Sequence, residues 1–494
     1  MSSVVQSSNQ STEFQGWTPS PEGRGSIGII WTCLIALGLC SWSAVCVNIP
    51  TRGDSGWRKV RRKAWLTFIC LVGPEYLLAL AIGQWSAAYR SVQEFKDLSS
   101  GNWTIRHGFF AEMGGFMLHT ADGVAFPVRT KGLLYLIHQG FITDKTFKEK
   151  ILVDPQVIKD RNKADTLFRL LALAQALWFV INCLARFIQH LPVTTLELTV
   201  LGFFIPTATT YILWWNKPCD VDTAEVITID ARLDEIRARG GPAGEQQWHY
   251  TPLDFVDREE WHGSLLYRYW LNILGRLNLL SRPKSSSART RQSDNDFLPS
   301  PLTHLFFLEL LPTVPFLGVN YIAWNHDFPT IIERDMWRTA SVTMTATFLI
   351  GASVEGSFTS LWPFEKEKSK SQTRRLELEQ YYMQQQQLRQ GDGAQQQNPV
   401  FPGAGHGLPP SSRTRLHKFK MAVKRLVVKL CNNSPNDDPN LDVPFKMLIL
   451  ATPLAALYCI SRAYVLVEDA IAFRRMPSGT YTTVDWMQFL PHFG

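Results

Sequence analysis

SIGIIWTCLIALGLCSWSAVCV, from Ser26 to Val47, runs its whole length without a charged side chain. At a rise of about 1.5 Å per residue such a helix covers a hydrocarbon core of roughly 30 Å. The same length and apolarity return near residues 64–88, 167–188, 194–215, 302–324, 336–358 and 445–467, separated by charged, Gly- and Pro-containing stretches. This alternation predicts an all-α fold, a polytopic transmembrane helix bundle of about seven spans with helical extramembrane loops. Apolar residues make up 45% of the 494-residue chain, and it is their clustering that sets the class.

Around these runs the chain divides into a polar N-terminus (1–25), spans one and two (26–88), an extramembrane helical loop (89–165) and a hairpin of spans three and four (166–216). A second extramembrane or interfacial loop (217–300), spans five and six (301–360), a basic Gln-rich linker (365–442) and span seven with its tail (443–494) complete it. Span two contains Gly73-Pro74-Glu75, which breaks or kinks its helix. Leu266, Tyr269, Ile273, Leu277 and Leu280 recur at helical spacing beside arginines, as in an interfacial or packing helix. In the linker, a Gln run (384–387) and low apolar content predict disorder. Leu416, Phe419, Val423, Leu426 and Leu430 nevertheless form one stripe of a basic amphipathic helix there.

Lys and Arg exceed Asp and Glu by seven, and the excess sits between the apolar runs, so the lipid bilayer and its anionic headgroups are the expected partners, with no nucleic acid. The eight cysteines show no paired spacing, which predicts neither a disulfide framework nor a zinc site, and no metal or cofactor motif appears. The short loop with Arg52, Arg58, Lys59, Arg61, Arg62 and Lys63 argues for a cytoplasmic face. Seven plain crossings then leave the long basic loops outside, whereas a re-entrant second segment returns them to the cytoplasm. Asn9, Asn102 and Asn432 begin glycosylation sequons. The expected location is a membrane, as a multi-pass protein of the endoplasmic reticulum or plasma membrane.

GRGSIGIIWTCLIALGLCSW (23–42), NIP (48–50), HGFFAEMGGF (107–116), TLELTVLGF with WWNKP (195–218), IAWNHDFPTIIERDMWR (322–338) and the stretch from Ser461 to Phe493 ending in VDWMQFLPHF together resemble a large family of uncharacterised fungal multi-pass membrane proteins. The resemblance implies a fungal origin and this order of segments, and transfers no catalytic residue. GVNYIAW (318–324) departs from an expected form nearer GxIHCxAW, so a role for His or Cys at Asn320 or Tyr321 is absent.

An ionisable side chain at mid-span costs roughly 2.5 to 3.5 kcal/mol on insertion scales, so each such residue is a candidate site. Glu75, Glu309, Arg462 and Glu197 form the intramembrane set, Glu197 also suiting a helix N-terminus. Arg186, Glu355, Glu468 and Asp469 lie near span ends, where snorkelling explains them. In the loop after span two, His107 and Glu112 offer an acid–base pair, and Gly114-Gly115 a tight turn. Three function classes follow. A non-enzymatic transporter-like, channel-like or scaffold protein needs no motif. A membrane-embedded enzyme would act on an apolar terpenoid- or polyketide-type metabolite by general acid catalysis from a protonated Glu. A receptor-like regulatory protein would work through its basic 365–442 segment.

Overall fold

A computed structural model describes residues 13–19, 24–51, 53–154, 163–219, 221–258, 260, 262–277, 289–294, 303–361, 412–434 and 438–489, with isolated positions 373, 376, 377, 380 and 383. It is 68% helical and 4% strand. The helices of eight or more residues are α1 (Ser26–Ala44), α2 (Gly56–Val72), α3 (Pro74–Glu94), α4 (Ile105–Glu112), α5 (Thr130–His138), α6 (Lys163–Ile188) and α7 (Thr195–Leu213). They continue as α8 (His262–Arg276), α9 (Thr303–Ile322), α10 (Ile331–Leu361), α11 (Ser412–Cys431) and α12 (Phe445–Ile471). The strands are β1 (Phe14–Gln15), β2 (Phe116–His119), β3 (Ala125–Val128), β4 (Glu225–Thr228) and β5 (Met476–Pro477).

Two compact units divide the chain: Met1–Arg258 with Ala288–Phe348 and Ala456–Gly494, and Glu259–Ser287 with Leu349–Ala455. In the first, Ile29, Cys33 and Leu37 of α1 share a core with Phe179 of α6, Val200 and Phe203 of α7, Phe316 of α9, Trp337 of α10 and Val465 of α12. Outward, Ile27, Trp31 and Leu34 of α1 and Leu177, Trp178, Leu184 and Phe187 of α6 are exposed. Buried apolar residues on one stripe and exposed apolar residues on the other are what a helix needs when its surroundings are lipid. Among the described residues, Ser26–Ala44, Arg169–Ile188, Thr195–Leu213 and Phe445–Arg474 are long and apolar enough to cross a membrane. A fifth unit of that kind is the pair α2–α3, bent by 117° at its junction. The stretches expected as spans five and six are helical, as α9 and α10; among the described residues four candidate spans and the bent pair are shown, and the count of seven is not.

The bundle has two distinct ends. At one, Arg24 pairs with Glu197, the Ser26 hydroxyl donates to Tyr481 Oη (3.0 Å), and β1 pairs with β5. Here Arg186 is only 2% exposed, because the tail folds over it and takes its guanidinium onto the carbonyls of Pro192, Gly479, Thr480 and Thr482. Snorkelling, the expectation from sequence, is replaced by a carbonyl cage. At the other end, Cys46, just past α1, is bonded to Cys219, just past α7, across a sequence separation of 173. This corrects the expectation of no disulfide. Two thiols so far apart carry no spacing signal, and only the parallel run of α1 and α7 brings them together.

Beyond that end lies a small α+β unit that the expectation of helical loops does not include. β2 pairs antiparallel with β3 (Phe116↔Val128) and parallel with β4 (Phe116↔Glu225). Phe116 and Leu118 point inward and Met117 and His119 are partly exposed, the two-residue alternation of a half-buried strand. Phe95, Trp103, Phe110, Phe126, Leu133 and Ile236 complete its core. In the second unit, Leu265 and Leu266 of α8 pack on Leu441, Val443 and Met447, making α8 a packing helix. Asn432 is 4% exposed, its amide donating to Asp438 O (2.7 Å) and Asp442 Oδ1 (2.6 Å). Asn9, the Gln run and most of the expected disordered linker lie outside the described residues.

Candidate functional site

The bent pair α2–α3 is anchored twice at the disulfide end. Ser55 caps α2; Lys59 meets Asp222 (2.6 Å), and Arg62 donates to both oxygens of Asp294 (2.6 Å) and to Asn48 O (2.9 Å). α3 leaves at the same end: Gln84 Oε1 accepts from Lys217 (2.7 Å), and the chain passes into the α+β core at Phe95. The pair therefore enters and returns at one end, with its tip at Gly73-Pro74-Glu75 inside the bundle. Pro74 opens α3 at the position where a missing N–H costs nothing. A Cβ at Gly73 would fall 2.9 Å from Glu75 Oε1, so glycine leaves room for the carboxylate to fold back over the turn.

At the tip the Tyr458 hydroxyl donates to Glu75 Oε1 (2.6 Å). One helical turn on, Arg462 is 1% exposed, its guanidinium carbon 4.5 Å from the centre of the Phe203 ring and 4.9 Å from that of Phe316. Its Nε and Nη2 have no hydrogen-bond partner among the described residues. Two turns further Asp469, fully buried, accepts from the Thr199 hydroxyl (2.7 Å) beside Thr195 and Trp337. Arg462 interacts electrostatically with both Glu75 and Asp469, yet forms an ion pair with neither.

Two of the four intramembrane candidates, Glu75 and Arg462, thus come together, without the salt bridge that a purely structural pair would make. Glu197 sits apart, its carboxylate closing a capping box with Thr194 at the start of α7 and pairing with Arg24. Glu309 lies half-buried on α9, its carbonyl accepting from Thr313 (2.7 Å). Tyr458, which the sequence reading does not single out, and Asp469 complete the cluster; the full burial of Asp469 corrects the expectation that it snorkels from a span end. Tyr458, Arg462, Val465 and Asp469 recur at four, three and four residues, and that periodicity is the available signal.

In the α+β unit His107 is fully buried as the third residue of α4. Its Nδ1 accepts from the Thr104 N–H (3.1 Å), and its Nε2 contacts Val153 O (2.5 Å). Burial pulls its pKa below the ordinary value, partly opposed by the Val153 carbonyl. Glu112 accepts from the Thr130 N–H (3.3 Å) and faces Arg129 (3.9 Å), so His107 and Glu112 are each engaged separately. Lys217, 2% exposed beside the disulfide, donates to Cys46 O (2.8 Å) over the Trp214 ring; burial lowers its pKa to about 7, Asp294 opposing. Asn102 is exposed on the turn before α4. Among the described residues no cluster of His, Cys, Asp and Glu suits a metal ion.

Residues 1–238 match the model of a family of unknown function, DUF8562. The match takes in α1 to α7 and β4, hence Glu75 and Phe203, and stops before Tyr458, Arg462 and Asp469. No curated protein and no solved structure matches the chain.

Proposed function

We propose that the chain is a multi-pass membrane protein of transporter- or channel-like action, in which Glu75, Tyr458, Arg462 and Asp469 handle a proton or a small polar solute. The observation that carries this reading is a charge cluster, with Arg462 and Asp469 buried and Glu75 half-buried, at the tip of a hairpin that enters and leaves at one end of an apolar bundle. Ionisable groups inside a membrane are costly and persist where they pair or serve a path, and broken helices at mid-depth supply such paths. In this reading α2–α3 is re-entrant, and the seven apolar segments become six crossings and one hairpin. The test is proton flux in pyranine-loaded liposomes holding the purified full chain, driven by a potassium diffusion potential. Flux above protein-free liposomes, lost in Glu75→Gln and Asp469→Asn variants that keep the wild-type elution profile, is expected. Flux no greater than that of protein-free liposomes overturns the reading.

A further inference from the structure

We infer that the Nε/Nη2 edge of Arg462 is a receptor for the carboxylate of a small organic acid, which deepens the transport reading and rests on it. Guanidinium offers its donors in a plane, and the edge formed by Nε and one terminal nitrogen matches the two oxygens of a carboxylate. Those two nitrogens, Nε and Nη2, are the buried atoms without a partner among the described residues. Phe203 and Phe316, their ring centres 5.6 Å from each other, lie within 5 Å of Cζ on adjoining sides; they hold the guanidinium in place and offer Nε and Nη2 no hydrogen-bond acceptor. Leaving buried charged donors unpaired costs more than an ordinary hydrogen bond returns, so an arrangement that keeps this edge clear of both neighbouring carboxylates suits an external oxyanion. Glu75 is held off by Tyr458, and Asp469 by Thr199. An organic acid delivered as anion plus proton brings no net charge into the bundle, and Glu75 stands at the tip where that proton would be received.

The experiment uses the full chain in nanodiscs, with thermal unfolding followed by tryptophan fluorescence in sodium lactate, pyruvate or benzoate against sodium chloride of equal ionic strength. Lactamide is the neutral isostere. A carboxylate is expected to raise the unfolding midpoint in proportion to the logarithm of its concentration, lactamide to leave it unchanged, and Arg462→Lys, which keeps the charge without the fork, to abolish the rise. Phe316→Leu keeps the fork and removes one of the two ring contacts that hold it, and is expected to weaken the apparent affinity about threefold or more; it serves where Arg462→Lys does not fold. Proton flux in liposomes with no midpoint shift from any of the three carboxylates overturns this inference and leaves the transport reading standing. Absence of both overturns both.

Discussion

Gly108 sits where α4 crosses α3, and replacing it with alanine tests whether the α+β unit is rigidly fixed to the hairpin. The new Cβ would stand 2.3 Å from Ser91 Oγ, 2.6 Å from Ala88 O and 2.9 Å from Ala88 Cα. The serine hydroxyl cannot simply rotate away, because it donates to Ala88 O (2.7 Å) and accepts from Trp103 Nε1 (3.1 Å). Ala88 O is backbone, so reaching ordinary contact requires the two helices to part by about 1 Å, which forfeits a quarter to a half of the dispersion energy across their contact. Overpacking of this kind costs about 1–3 kcal/mol, and the two hydrogen bonds add roughly 1 kcal/mol each. We expect Gly108→Ala to destabilise the unit by about 3–5 kcal/mol, read as faster amide exchange through α4, β2 and β3. Adding Ser91→Ala relieves the nearest contact and leaves the backbone one, so the double variant should recover part of the loss. Exchange in Gly108→Ala within about 0.5 kcal/mol of wild type would refute the close approach.

Burial pushes Asp257 up to about 7 from 3.8, against Arg129, so its contribution to stability is full below about pH 4 and is lost as pH rises through about 7. Asp257→Asn should flatten that loss, up to about 4 kcal/mol, in amide exchange of α5 between pH 4 and 8; an unchanged pH profile would count against it. Gly73→Ala, by driving the Glu75 carboxylate from its place, should reduce proton flux severalfold without changing the amount of folded protein; undiminished flux would detach the hairpin tip from transport. Tags at the two termini should be digested on one side of sealed vesicles, and a protease site in the turn at Ala121–Gly123 on the other. Digestion of all three from the same side would contradict a re-entrant α2–α3. In its folded state the buried Asn432 should carry no glycan, and a mass shift lost in Asn432→Gln would show otherwise.

The bundle is legible in the sequence because a water-facing helix rarely carries an apolar run of span length with so few charges, and α1, α6, α7 and α12 stand where the runs place them. Gly73-Pro74 marks the break in the second segment, but a 117° reversal depends on what anchors the two ends, and Asp222 and Asp294 lie far along the chain. The sheet is hidden for a related reason. β2 and β3 have four residues each, and β4 joins them from beyond two membrane-length helices, so no local periodicity announces the pairing. Glu75 and Arg462 stand out by cost alone, the expense of charge among apolar residues. Whether they pair is a question of angle and depth, decided by Tyr458 and the two phenylalanine rings.

The Cys46–Cys219 bond also orders events during synthesis. Cys46 emerges early and waits for a partner 173 residues later, while β2 and β3 lie between them, an incomplete sheet with one edge open. When the bond closes it tethers the start of the segment carrying β4, which begins six residues beyond Cys219, beside the edge it must join. Closing a loop of that length lowers the entropy of the unjoined chain by an amount worth roughly 5 kcal/mol in the simplest estimate. A chain that stops before residue 219 therefore has neither this bond nor its third strand, and its sheet keeps an open edge.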